Sequence, residues 1–276
     1  MFIKNKNASL NVQIYSENIA DTIILLHGGP GFPNRMKKVI SILKTKYKII
    51  TFEQRGTGNS ICEKCDFSMD SYMSDINTII DFFNIKSLHL FGYSWGGLYA
   101  QIYTNKYSKK IKSLFLCNPM SGTADIWRKA EKEAIVFNKN ASSTIDWLRL
   151  IFNSLLGMLG NNNAYKKMYM QILANYSKND NNKQYDFSVL NNISAKTINK
   201  TRRNIIKYPR LNILKNPDFP ILITYGDNDI YTKSRKYVFA KYPTAQIQII
   251  ENCIHAPWFQ NLEKFQQILT KFYGII

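Results

Sequence analysis

Histidine is scarce in this 276-residue chain, with only three. Acid is scarce too: 19 Asp and Glu stand against 37 Lys and Arg, a formal net charge of +18. Four cysteines, 13 glycines and 8 prolines exclude a disulfide-dense mini-domain, a collagen-like repeat and a low-complexity tract. No run approaches the ~18 consecutive apolar residues of a membrane-spanning helix. The opening stretch MFIKNKNASLNVQIYSE has neither the apolar run nor the small-residue cleavage site of a secretory signal. A cytoplasmic protein with no membrane partner is the expectation.

The basic excess raises the question of nucleic acid or of an anionic membrane. Lys, Asn and Ile are abundant together, the pattern of AT-biased codon usage. The densest basic clusters are only pairs, Lys37-Lys38, Lys109-Lys110 and Arg202-Arg203, and no zinc-finger, RRM or KH signature is present. No nucleic-acid partner is therefore expected. Cys62-x-x-Cys65 has the spacing of half a zinc site or of a redox pair, but neither Cys117 nor Cys253 supplies a second such pair. Four unpaired, reduced thiols and no metal are expected.

Hydrophobic residues make up 45% of the chain, enough for a globular core. Leu10–Tyr15 alternates like a half-buried strand. Thr22–Leu26 is a short apolar run ending at a Gly/Pro cluster, as in a strand buried on both faces. Tyr47–Phe52, Leu88–Phe91 and Ile111–Cys117 are further strands. Met69–Phe83 has helical apolar spacing with Ser68 as a candidate cap, and Leu98–Tyr107 reads as helix. From Ser121 to Arg210 no buried strand is evident, and helical patterns such as Trp147–Leu159 take over. This stretch holds fifteen Lys/Arg and only six acids, Asp125, Glu131, Glu133, Asp146, Asp180 and Asp186. Alternation then returns, with buried strands at Ile221–Tyr225 and Gln246–Ile250 and a final helix at Leu262–Phe272. Strand–helix alternation predicts an α/β fold with a parallel sheet. The organisation is a core of residues 1–120 and 211–276 interrupted by a helical insertion at 121–210.

Chemistry concentrates at predicted strand ends. Gly92-Tyr93-Ser94-Trp95-Gly96 is a G-x-S-x-G between a strand and a helix, the context in which that motif presents a nucleophilic serine. The flanking glycines are required because side chains two residues either side of the tight turn would collide. His27-Gly28-Gly29-Pro30-Gly31 follows strand Thr22–Leu26 and brings backbone close to a ligand. In this architecture the amides of Gly29 and Trp95 form the expected oxyanion hole. A serine needs a base. His27 belongs to the turn and His89 lies inside a strand, so His255, in a loop after Gln246–Ile250, is the candidate. Asp229, with Asp227 in reserve, follows strand Ile221–Tyr225 and is the candidate acid.

These motifs give the chain its resemblance. The order Ser94, Asp229, His255 is that of α/β-hydrolases. His27-Gly-Gly-Pro-Gly31, Glu53-Gln-Arg-Gly-Thr-Gly-Asn-Ser60, Gly92-Tyr-Ser-Trp-Gly-Gly97, Gly226-x-x-Asp229 and His255-Ala-Pro257 resemble the prolyl aminopeptidase (proline iminopeptidase) branch. The resemblance implies the α/β-hydrolase fold: an eight-stranded, mostly parallel sheet flanked by helices, with a helical cap over the active site. Glu53 stands where the family carries aspartate, a change expected to be tolerated because Arg55 and the glycines are kept. Prolyl aminopeptidases bind the substrate's amino group through cap carboxylates, whereas this insertion dilutes its acids with basic residues.

The expected activity is therefore serine hydrolysis of a carboxylic ester or lactone, without metal or organic cofactor. The alternatives are release of N-terminal proline from short peptides and a ligand-binding protein on a hydrolase scaffold. Trp127, Trp147, Tyr165 and Met168 are pocket candidates, with Glu131 and Glu133 as carboxylates for an amine. Oligomeric state is left open.

Overall fold

The computed structural model describes residues 1–34, 36–177 and 187–275. Asp180 and Asp186 of the insertion lie outside the described residues. Nine strands form one sheet among those residues: β1 (Phe2–Asn5), β2 (Ala8–Tyr15), β3 (Thr22–Leu26), β4 (Lys48–Phe52), β5 (Ile61–Cys62), β6 (Leu88–Tyr93), β7 (Ile111–Cys117), β8 (Ile221–Gly226) and β9 (Gln246–Ile250). Eight run in the order β1-β2-β4-β3-β6-β7-β8-β9, and the two-residue β5 pairs with β2. Pairing is parallel from β4 to β9 and antiparallel around β2. The expected eight-stranded sheet is thus present with one short addition. β1 and β5 escaped the sequence reading because each is short and pairs at the antiparallel end. β9 is not the buried strand expected: only Ile250 is buried, because this strand forms the sheet edge.

Helices cover both faces. They are α1 (Lys37–Leu43), α2 (Met69–Phe82), α3 (Trp95–Tyr107), α4 (Ala124–Ala141), α5 (Thr144–Met158), α6 (Asn162–Ser177), α7 (Ala195–Lys207), α8 (Lys236–Lys241), α9 (Pro257–Gln260) and α10 (Leu262–Tyr273). All five residues of β3 are buried, and the pleat explains why. Ile24 and Leu26 face a core with Ile76, Ile79, Leu98 and Ile102 of α2 and α3. Ile23 and Leu25 face a second core with Val39 and Leu43 of α1 and Phe265 and Leu269 of α10. The α2 start matches expectation, with the Ser68 side chain accepting the Ser71 amide at 3.2 Å. Helices α4 to α7 all fall between β7 and β8. No helix among the described residues is long and apolar enough to cross a membrane.

The cysteine expectation needs correction. Cys62 and Cys65 are joined in a disulfide, while Cys117 and Cys253 are buried and belong to no disulfide. The bend after β5 brings the first pair to a Cα separation of 5.3 Å, within bonding reach.

Behind this bend, Arg55 grips Asp75 of α2 through Nε and Nη2 at 2.8 and 2.7 Å. Its guanidinium also donates to the carbonyls of Asp66 and Ser71, and Asn5 of β1 donates to Asp75 at 2.7 Å. Truncation of Arg55 would leave a buried carboxylate with one neutral partner. Arg55→Ala is expected to cost about 3–5 kcal/mol of stability, read from urea denaturation.

Lys241 of α8 is a second buried cation, donating to Gln101 Oε1 at 2.5 Å and to the Ser121 carbonyl at 3.0 Å. Burial pulls its pKa down to about 7. The unfolded lysine titrates near ~10.4, so between these values the unfolded state binds more protons and stability rises with pH. Lys241→Met is expected to flatten that rise between about pH 7 and pH 9, measured as the slope of unfolding free energy against pH.

Candidate active site

Ser94 sits at the N-terminus of α3 with φ 53° and ψ −116°. That strained backbone is possible because β6 ends and α3 begins with almost no intervening chain. A side-chain carbon on Gly96 would collide with the carbonyl oxygens of Leu26 and His27, and one on Gly92 with the carbonyl of Gly96. The turn is pinned from below by the Ser94 amide donating to the Cys117 carbonyl at 3.0 Å and by the Met120 amide donating to the Ser94 carbonyl at 3.0 Å. The helix begins at Trp95, three residues before the periodicity predicted.

The sequence-nominated trio meets here. Ser94 Oγ lies 2.9 Å from His255 Nε2, and His255 Nδ1 lies 3.1 Å from Asp229 Oδ2. A carboxylate only accepts, so Nδ1 carries the imidazole proton and Nε2 is left to accept from the Ser94 hydroxyl. Asp229 is further oriented by the Asn118 amide group at 2.6 Å and by the Tyr231 backbone N–H at 2.8 Å. The reserve, Asp227, is occupied elsewhere: it accepts from the backbone N–H groups of Asn228, Asn252 and Cys253. His89 bonds Ser113 and Asp21 within the sheet, as its strand position suggested.

Sequence reasoning missed three of the supports. Asn118, just past β7, was a strand-end residue and could have been nominated on that ground. Gln260 had no signal: its Oε1 accepts the backbone amides of Ile254, His255 and Ala256 at 2.9 to 3.0 Å, while its Nε2 donates to the Tyr176 carbonyl. It thereby holds the His255 loop against α6. Gln54 lay within the Glu53–Ser60 motif, but nothing local assigned it a role. It accepts from the Trp95 indole at 2.7 Å, donates to the His27 carbonyl at 2.9 Å, and gives its backbone N–H to His27 Nε2 at 3.2 Å. His27 Nε2 must then be unprotonated, consistent with burial pulling its pKa down to about 4.

This network draws the 27–31 turn beside the serine. A carbon built on Gly28 would lie 3.2 Å from Ser94 Cβ. Gly29 and Trp95 line the same cavity as Ser94 and His255. Trp95 is the first residue of α3, where a backbone N–H has no intrahelical acceptor and the helix dipole favours negative charge. Glu53 closes its own turn by accepting from the Asn59 amide at 2.7 Å and from Asn11 at 3.0 Å, so the longer acid is accommodated.

The cavity has a volume of about 470 Å³. Trp127, Trp147, Tyr165, Met168 and Glu131 line it, as nominated. Glu133 does not. Two residues along α4 from Glu131, it points away and accepts the backbone amides of Lys233 and Ser234. Glu131 is itself engaged, receiving Arg202 Nε at 2.5 Å and Nη2 at 2.7 Å in a bidentate pair. The rest of the lining is mostly apolar or aromatic, including Phe32, Leu150, Ile172, Leu173, Ile198 and Trp258. Among the described residues no group of three or more His, Cys, Asp or Glu could hold a metal ion.

Gly96→Ala is expected to force β3 and α3 apart, lowering stability by about 1–3 kcal/mol and displacing Ser94. A crystal structure of the variant retaining the Ser94–His255 contact would contradict this.

The comparisons agree with the architecture. The family described as alpha/beta hydrolase fold matches residues 21–262. A proline iminopeptidase of Lactobacillus delbrueckii subsp. lactis is 24% identical over 285 residues, covering 90% of this chain and 88% of that protein. Two solved structures have the same fold. The enol-lactonase from Burkholderia xenovorans LB400 has a TM-score of 0.68 at 14% identity, covering 99% of this chain and 100% of that one. The naproxen esterase from Bacillus subtilis has a TM-score of 0.64 at 14% identity, covering 99% and 90%. A family match over that much of the sequence makes the chain a member of the alpha/beta hydrolase fold family, and a hydrolase.

Proposed function

We propose that the protein hydrolyses a carboxylic ester or lactone with a hydrophobic acyl portion, using Ser94 as nucleophile, His255 as base and Asp229 as the group that orients and charge-balances the imidazole. His255 takes the Ser94 proton as Oγ attacks the carbonyl. The amides of Gly29 and Trp95 stabilise the tetrahedral oxyanion. His255 then protonates the leaving alkoxide. In the second half it activates water, which releases the acid from Ser94. In this reading residues 121–210 are a cap over a core of 1–120 and 211–276. Support comes from α4, α5, α6 and α7, each of which contributes residues to the cavity wall.

The observation that carries the substrate reading is the Glu131–Arg202 pair. A substrate ammonium leaving water needs a fixed carboxylate. Among the described residues Glu131 is the carboxylate in the cavity wall, and Arg202 already pairs with it. Glu133 serves the 232–234 turn. The apolar remainder of the wall suits a neutral acyl group. A second reading, release of N-terminal proline, is favoured by the proline iminopeptidase relative that aligns with 90% of the chain. In that case Glu131 would have to exchange Arg202 for the substrate amine.

The two readings separate on paired substrates, a p-nitrophenyl ester of a medium-length acid and proline p-nitroanilide. Ester turnover without anilide turnover is expected. Ser94→Ala and His255→Ala should each lose at least about a thousandfold in kcat, with binding of the ester little changed. Robust anilide turnover, abolished by Ser94→Ala, would replace the esterase reading with the peptidase one.

A further inference from the structure

Helix α5 is divided lengthwise into three sectors. Trp147, Leu150, Ser154 and Met158 face the cavity. Asp146, Arg149 and Asn153 make a polar edge, with Arg149 paired to Asp146 at 3.5 Å. The third sector is apolar and open to solvent. Ile145, Leu148, Phe152 and Leu159 keep 60% to 85% of their surface exposed, and Leu155 keeps 53%. Their spacing of three and four residues puts them on one stripe. Ile135 and Val136 of α4 add two more exposed apolar side chains, at 50% and 56%. A stripe of large exposed apolar side chains along one helix marks an interaction surface.

The patch is continuous with the entrance to the cavity. Ile135 and Met158 both line the cavity and are both about half exposed, so they stand at its mouth. Basic side chains border the apolar surface. Lys132 and Lys139 lie three residues before and four after Ile135, on its face of α4, and both are exposed. Exposed Arg149 stands one turn from Ile145 on α5.

We propose that this face docks on an anionic lipid surface, with α5 lying in the interface and the cavity mouth turned toward the lipid. An amphipathic helix with large apolar side chains and flanking cations binds interfaces in this way, through apolar burial plus attraction to acidic headgroups. Charge selects lipid over a second copy of this chain. Residues 121–210 hold fifteen Lys/Arg against six acids, in a protein of net charge +18. Two such faces brought together would repel, whereas an anionic membrane is complementary. The mode is adsorption, not insertion of a spanning helix, and it gives the basic excess a membrane partner, against the expectation of none. It stands on the α5 face and is independent of which bond Ser94 cleaves.

The test is co-sedimentation of the full chain with vesicles of phosphatidylcholine alone and of phosphatidylcholine with roughly one-third phosphatidylglycerol. Wild type is expected on the mixed vesicles, with binding weakened by added salt. The triple variant Leu148→Gln/Phe152→Gln/Leu155→Gln removes apolar surface that does not line the cavity, and its partitioning should fall by about tenfold or more. Near-UV circular dichroism checks that the variant is folded, and binding is read without any activity assay, so failure of the esterase reading leaves this test intact. Absence of wild-type binding to the mixed vesicles, or binding unchanged in the triple variant, would overturn the proposal. So would sedimentation equilibrium that finds a wild-type dimer converted to monomer by the same substitutions, since a second copy would then cover the face.

Discussion

A serine held at φ 53° between a strand and a helix leaves no room for side chains around it. Everything near the candidate site is arranged to meet that demand. Gly96 lets α3 lie against the last carbonyls of β3, and Gly92 lets β6 turn directly into α3. Because β3 and β6 are paired neighbours, the same close approach carries the 27–31 turn alongside Ser94. Residues of two different segments, Gly29 and Trp95, thus line one cavity with Ser94. The strain at Ser94 is sustained by hydrogen bonds to the Cys117 carbonyl and from the Met120 amide, and by the packing of central strands buried on both faces.

From this constraint the electrostatics follow. Asp229 and His255 leave the ends of β8 and the segment after β9, so the parallel sheet delivers both to the edge where Ser94 stands. Each is held by groups outside the trio. Asn118 and the Tyr231 amide fix the carboxylate, and Gln260 gathers three consecutive amides of the histidine loop. Gln54 ties His27 to Trp95, joining the two turns that carry the candidate oxyanion donors into one network. The helices between β7 and β8 set a different balance. Arg202 of α7 pairs with Glu131 in the cavity wall, and the apolar residues are shared between the cavity and the outer surface of α5.

Legibility in the sequence followed the range of the interactions involved. The β3 run, the α2 periodicity and the glycine-flanked serine depend on neighbours within a few positions, and each was readable. His255 could be reached by elimination because only three histidines compete. Asp229 and Asp227 could not be separated by the chain alone with the same force, since both sit in one turn. The hydrogen bonds of Asp227 to the 252–253 amides distinguish them. β9 read as buried because its composition is apolar, and only its place at the sheet edge exposes it. The Cys62–Cys65 bond depends on the bend after β5 rather than on the spacing.

By itself the sequence determined the α/β alternation, the tight turn around Ser94 and the residue types from which a hydrolytic site is assembled. These are properties of local sterics and hydrophobic period, which nearest neighbours decide. Tertiary structure decided which carboxylates are available. Glu131 and Glu133 look equivalent in the chain, two residues apart on one helix. Folding turns one into the cavity and onto Arg202, and the other onto backbone amides 100 residues away. It also decided which apolar residues of α5 pack inside and which remain in solvent. A charge acquires its meaning from partners distant in sequence, and those partners exist only once the sheet has brought them together.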